Sequence, residues 1–554
     1  MTRPGLHIIM LLLAGLLSGC IVNDIPYPVV VCSVERIAAD GLAGQPTIDA
    51  AARRVILPLE ETTDILAVEI TECKITDEAR ITDDDGNTVE IVGRHDLTTP
   101  LYVNLSIYQN YLWTIEAQQT IPRTFTVEGQ IGATEWDLAN LTAKVYVGFE
   151  DLSQVRVTAL KLGPRDITTM THIDDTVLDD TNLDLLNFDN GSCEVDVTYH
   201  GRTWEWHLDT EYTEVKVTFA GIDAWTHSAW LRADGLSGTR LGFRYREQGA
   251  EEWIEVPEEH LVFDGGSFST QLRGLLPRTA YEAVAYSNDD TTQIESFTTE
   301  APLPLPNCGF EEWSQPGKVL YPYLSEEQAF WDSGNKGSAT VGATICEGSA
   351  DIRPGSAGAT SAKLTSTFAS VFGVGKFAAG NIFVGTYEKT DGTDGILNFG
   401  RPFATHPIAL RGWMKYTQGQ IDIDLKNIAM PPGLTLTNDD MDEGSIYIAL
   451  GTWTPEEDEG TAESPVQIRT KKATQKLFDK DNPRVMGYGE LILDRTVGEW
   501  RQFTVPIDWR DTGTAPTHLV LVCSASRWGD YFVGSTQSCL WLDDFELIYD
   551  YADL

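Results

Sequence analysis

Apolar and polar residues alternate along this chain in short runs, which is the period of a β-strand with one face buried. Val55-Ile56-Leu57-Pro58-Leu59, Val155-Arg156-Val157-Thr158-Ala159-Leu160 and Ile421-Asp422-Ile423-Asp424-Leu425 are examples. Turn formers such as Asp85-Gly86-Asn87 and Asp189-Asn190-Gly191 separate the runs. No amphipathic stretch of four helical turns interrupts them. The pattern predicts an all-β protein, and the 554-residue length divides it into several domains.

The N-terminal half repeats itself. Gly44, Asp49, Leu57 and Leu59 fall opposite Gly132, Asp137, Val145 and Val147. Further on, Leu101 to Ser106 and Trp113 match Cys193 to Thr198 and Trp206. Each copy has the size of one immunoglobulin-like sandwich, so residues 29–120 and 121–211 are expected to be tandem β-sandwiches acting as spacers. Residues 212–300 carry Leu276-Pro277-Arg278-Thr279-Ala280-Tyr281, which resembles the tyrosine corner of a fibronectin type III domain. In that resemblance Tyr281 is structural and Trp230 or Trp253 is the core tryptophan. Ala301-Pro302-Leu303-Pro304-Leu305-Pro306 reads as a stiff, extended linker over 301–306.

The first residues add a compartment. Arg3, the apolar run Ile8 to Leu17 and Leu17-Ser18-Gly19-Cys20 resemble a bacterial lipoprotein signal. That resemblance implies a signal peptide over 1–19, lipidation at Cys20 and a short tether over 20–28, placing the mature chain in the cell envelope, on the outer membrane and at its surface. Formal net charge is −43, from 83 acidic and 40 basic residues, which excludes a nucleic-acid-binding surface and favours neutral ligands. Of the eight cysteines, Cys32 with Cys73 or Cys523 with Cys539 could bridge neighbouring strands, and spacing leaves the connectivity open.

Residues 307–554 form the last unit. Phe330 to Asn335, Phe377 to Gly385, Asn398 to Phe403, Leu410 to Tyr416, Ser524 to Phe532 and Trp541 to Leu547 carry a resemblance to the family called the putative carbohydrate metabolism domain, found in bacterial envelope lipoproteins. The resemblance implies association with carbohydrate and brings no catalytic residues. Asn307-Cys308-Gly309-Phe310-Glu311 and Trp541-Leu542-Asp543-Asp544-Phe545 also resemble the first and last strands of carbohydrate-binding jelly rolls, which lie side by side around a structural calcium. Calcium takes hard oxygen ligands, so Glu311 and Asp544 are the leading candidates, with Glu312 and Asp543 behind them.

Sugar sites on sandwiches combine aromatic faces with hydrogen-bonding groups. Trp528, Asp530 and Tyr531 bring these types together in one glycine-flanked loop, and Trp331, Asn335, Asn381, Tyr447 and Trp453 are further candidates. Metalloprotease, nucleophile-elbow and phosphate-loop signatures are missing; Gly373-Val374-Gly375-Lys376 lacks the earlier glycine of a phosphate loop. Asn438 to Gly444 reads as a polar hairpin loop, and Glu456 to Gly460 as a mobile charged insertion. The expected function is a non-catalytic carbohydrate-binding jelly roll on a lipid-anchored chain. The alternatives are a glycoside hydrolase using paired carboxylates, or an adhesive protein with an envelope protein partner.

Overall fold

The computed structural model describes residues 32–554 except 51, 84–85, 108, 372–373, 393 and 426–433. Cys20 and the 20–28 tether lie outside the described residues. Strands dominate, and among the described residues α-helix is confined to single turns at Asn335–Ser338 and Pro455–Asp458. Among the described residues no helix is long and apolar enough to cross a membrane.

The internal repeat is a repeat of strand pairing. In the first copy Arg54–Leu59 runs parallel to Asn110–Gln119, with Leu57 opposite Ala117; in the second Thr142–Val147 runs parallel to Arg202–Tyr212, with Val145 opposite Thr210. Trp113 faces Val103 and Trp206 faces Val195, each tryptophan buried in its own core. A one-residue slip would move every side chain to the opposite face, so equal register follows from equal apolar patterning.

Residues 217–298 form a four-stranded and a five-stranded sheet around Leu231, Phe243, Phe268 and Tyr281. The Tyr281 hydroxyl accepts the Leu276 backbone N–H at 2.9 Å, closing a sandwich corner. Neither Trp230 nor Trp253 fills this core. Trp230 packs on Trp225, and Trp253 lies under the Arg246 guanidinium at 4.3 Å. Buried Trp225 instead turns outward to residues 307–554: it stacks on His406 at 4.7 Å and donates its Nε1–H to the Thr512 carbonyl. The proline-rich 301–306 segment is docked as well. Leu305 enters the C-terminal core, and the Tyr549 hydroxyl bonds both the N–H and the carbonyl of Leu303.

The C-terminal sandwich packs a nine-stranded sheet on a five-stranded one. Ile382, Ile446, Ile448 and Leu521 of the first meet Leu364, Met414, Leu540 and Leu542 of the second. Cys539–Ile548 is central in the five-stranded sheet, between Ser361–Thr365 and Ala409–Thr417. The opening bookend is therefore not its neighbouring strand. Residues 307–313 form a turn in which Asn307 Oδ1 accepts from the Glu311 and Glu312 amides, and the Phe545 N–H donates to the Cys308 carbonyl at 2.8 Å. Neither expected cysteine pair forms a disulfide. Cys523 points between the sheets, whereas Cys539 stands beside Thr365 Oγ1 on the outer side of the five-stranded sheet.

Two acid-rich segments read as solvated loops are built into the fold. Asp458 is buried in the Pro455–Asp458 turn, where it accepts the Thr454 amide and pairs with Arg484. Asp442 is buried too. Its carboxylate accepts from Ser526 Oγ, Ser538 Oγ and the amides of Ser535 and Glu443 at 2.6 to 2.9 Å.

Candidate functional site

Ser526, Ser535 and Ser538 bracket the loop that the sequence singled out, so Asp442 clamps it at both ends. Gly529 and Gly534 let it lie flat: a Cβ at either would collide with Ala379 or the Phe377 ring. Gly529–Tyr531 makes one 3₁₀ turn and ends on Phe532 in the left-handed region at φ 61°. A non-glycine residue there is strained by about 1 kcal/mol or more, and the conformation presents the Phe532 ring to a cavity.

That cavity, about 300 Å³, is walled by Phe377, Ile423, Tyr531 and Phe532, with Lys376, Asp394, Thr470 and Gln475 supplying polar groups. Lys376 Nζ lies 2.7 Å from Asp394 Oδ1 and 4.0 Å from the centre of the Phe532 ring. An aromatic wall beside a fixed ion pair can cover the apolar face of a sugar ring while donating to and accepting from its hydroxyls.

Sequence candidates divide sharply here. Tyr531 lines the cavity, Asp530 before it is exposed, and half-buried Trp528 packs edge-on to Tyr531 beneath Arg527. Trp331 is wholly buried and donates to the Pro306 carbonyl. Asn335 is a framework residue with two donated and two accepted backbone bonds, to Leu320, Ile345 and Cys346. Asn381 joins Gly334 to Ala379. Tyr447 and Trp453 pack around Phe478 in a second apolar cluster. Trp331, Asn335 and Trp453 are thus removed from ligand contact by burial. Phe532, Phe377, Lys376 and Asp394 join the cavity beyond the sequence candidates: Phe532 ends the expected loop, and Lys376 follows the glycines that lack a phosphate-loop spacing.

Around the bookends, Glu311 and Asp544 both approach Gly309, where an added Cβ would lie 3.3 Å from Asp544 Oδ1 and 3.8 Å from Glu311 Cγ. Glu311 accepts from the Ala359 and Thr360 amides, Asp544 pairs with Arg353 Nε, and Asp543 Oδ2 accepts the Arg353 amide. Glu312 is held through its amide by Asn307. A calcium ion at this corner would have to exchange these donors for itself.

Two carboxyls shifted upward lie away from the cavity. Burial pushes Asp442 up to about 6 against the pull of its four donors, and burial likewise raises Asp332, which is held by Lys336 and the Tyr387 amide. Neither lines the aromatic cavity.

No curated protein matches this chain. Among solved structures, a "putative glycoside hydrolase" from Bacteroides thetaiotaomicron is 14% identical over 95% of this chain and 98% of that chain, with a TM-score of 0.29. Another "putative glycoside hydrolase", from Bacteroides vulgatus, is 21% identical over 45% of this chain and 98% of that chain, with a TM-score of 0.31. Residues 309–548 match the family described as "Putative carbohydrate metabolism domain", which makes the C-terminal sandwich carbohydrate-related.

Proposed function

We propose that this chain is a lipid-anchored cell-envelope protein, held at Cys20 on the outer membrane, whose C-terminal sandwich binds carbohydrate without cleaving it. The observation that carries the binding reading is the cavity walled by Phe377, Tyr531 and Phe532 beside the Lys376–Asp394 pair, within the segment that matches the family. The non-catalytic reading is supported by the positions of Asp442 and Asp332, whose raised carboxyls serve the framework. With net charge of −43, neutral glycans are the favoured ligands.

A glycan panel probed with the full chain, in calcium and in chelator, tests this. Binding weakened by Phe532→Ala, without release of reducing ends, is the expected result. Reducing-end release lost on substituting a single carboxylate would replace the reading with hydrolysis. Dependence on calcium, itself lost in Asp544→Asn, would place an ion at the Glu311–Asp544 corner. For the anchor, Cys20→Ser is expected to move the chain from the membrane to the soluble fraction.

A further inference from the structure

The two sheets of the C-terminal sandwich differ on their outer faces. The nine-stranded sheet is roofed there, since Phe383, Phe399, Ile468 and Val520 are buried together with Trp453 and packed by Phe478. On the five-stranded sheet, Leu364, Met414, Leu540 and Leu542 fill the core, and alternation turns Lys363, Trp413, Lys415, Trp541 and Asp543 the other way. Among the described residues no apolar cluster covers them.

Register assembles these side chains. Trp541 sits opposite Lys363 on one side and Lys415 on the other, and Trp413 sits between Asp543 and Gln502. Lys415 Nζ lies 4.3 Å from the centre of the Trp541 ring and 5.9 Å from that of Trp500. Trp500 donates its Nε1–H to Asp351, and Arg353 lies 5.2 Å from the Trp413 ring. Trp413, Trp500 and Trp541 are each half-buried, so part of three indoles remains exposed on one sheet face.

We propose that this face is a second carbohydrate site, binding an extended neutral glycan whose sugar rings lie along Trp413, Trp500 and Trp541. It rests on the carbohydrate reading of the domain and adds a surface that the cavity does not share. Flat indoles offer stacking area at low entropic cost, and the polar groups between them are held in fixed positions to meet hydroxyls. Charge selects the class. Lys363 pairs with Glu347, Lys415 with Asp351 and Arg353 with Asp544, leaving no excess of cations to attract a polyanion. Asp543, wholly buried opposite Trp413, has its Oδ1 enclosed without a hydrogen-bond partner among the described residues.

Titration of the full chain with cellohexaose, xylohexaose, mannohexaose, maltohexaose and a galacturonic acid hexamer tests the proposal, read by calorimetry and tryptophan fluorescence. The expected result is binding of at least one neutral hexamer with a change in fluorescence, and preference for it over the uronic acid hexamer. Trp541→Ala or Trp500→Ala is expected to weaken it about tenfold, as truncating an aromatic anchor does. Trp541→Phe, which keeps an aromatic face and guards against loss of folding, is expected to retain most of the affinity. Preference for the uronic acid hexamer overturns the proposal. So does neutral binding that Phe532→Ala abolishes while Trp541→Ala and Trp500→Ala leave it unchanged, a result that would keep the cavity reading. Failure of every hexamer to bind, with the cavity binding other glycans on the panel, also overturns it.

Discussion

The cavity beside Phe532 and the tryptophan face of the five-stranded sheet present aromatic groups in opposite ways. Half of the cavity's aromatic and aliphatic wall comes from one loop, where Tyr531 and Phe532 are adjacent and held by two glycine contacts and one buried carboxylate, and Phe377 and Ile423 come from distant segments. The face draws Lys363, Trp413, Trp500 and Trp541 from four strands, and no two of its tryptophans lie within forty residues of one another. A cavity of this size suits a short ligand or a chain end, whereas an open row suits a run of sugar units. Position on a loop makes the first dependent on a few anchoring bonds; position on a central sheet lets the core hold the second.

Several measurements would break or sharpen that contrast. The largest effect is expected from Trp331→Ala, which empties part of the core between the two sheets and costs about 3–5 kcal/mol in urea unfolding. Both binding activities should fall together as the fold is lost. Asp442→Ala should cost about 2–3 kcal/mol, because it strands buried donors of Ser526, Ser535 and Ser538. Its consequence should be local, with cavity binding lost and hexamer binding on the tryptophan face retained; equal loss of both would show that the regions are not independent.

Acidity separates them next. Burial holds the Asp543 carboxyl near 6, with Asp544 adding to the rise, and Asp442 is pushed up to about 6 as well. A carboxyl raised in the folded state binds more protons folded than unfolded between about pH 4 and 6, so its contribution to stability falls as pH rises through that window. Asp543→Asn should remove part of this slope, on the order of 1–2 kcal/mol, and Asp442→Asn another part, as read from urea midpoints at about pH 4.5 and 7. Identical slopes in the parent and Asp543→Asn would show that Asp543 is not strained by burial. The smallest effect is expected from salt. With the cations of the face already paired, raising ionic strength from about 0.05 to 0.5 M should leave neutral-hexamer affinity within about twofold. A strong decline would assign the face to charged ligands.

Legibility followed the kind of information each feature needs. The repeat was readable because Leu57, Val103 and Trp113 have counterparts at Val145, Val195 and Trp206, and apolar patterning fixes register. The Tyr281 corner was readable because its partner, Leu276, is only five residues away. Trp331 and Trp528 have the same side chain, yet one lies wholly inside and the other is half exposed; nothing adjacent to either states which. Asp442 and Asp458 sit in runs of acids that look uniformly solvated, and only their distant partners, Ser526, Ser538 and Arg484, make them interior groups. The opening bookend was misread as a strand because its side-chain pattern fits one, while Asn307 folds its backbone into a turn.

By itself the sequence determined the all-β class, the paired sandwiches, the structural corner at Tyr281 and the loop that carries Tyr531 and Phe532. Each depends on alternation, turn chemistry or partners close along the chain. Tertiary structure alone decided which tryptophans are core, which acids are interior, and that Trp413, Trp500 and Trp541 share one face. Those properties depend on strands paired across more than forty residues, where burial and register are set by the packed sandwich as a whole.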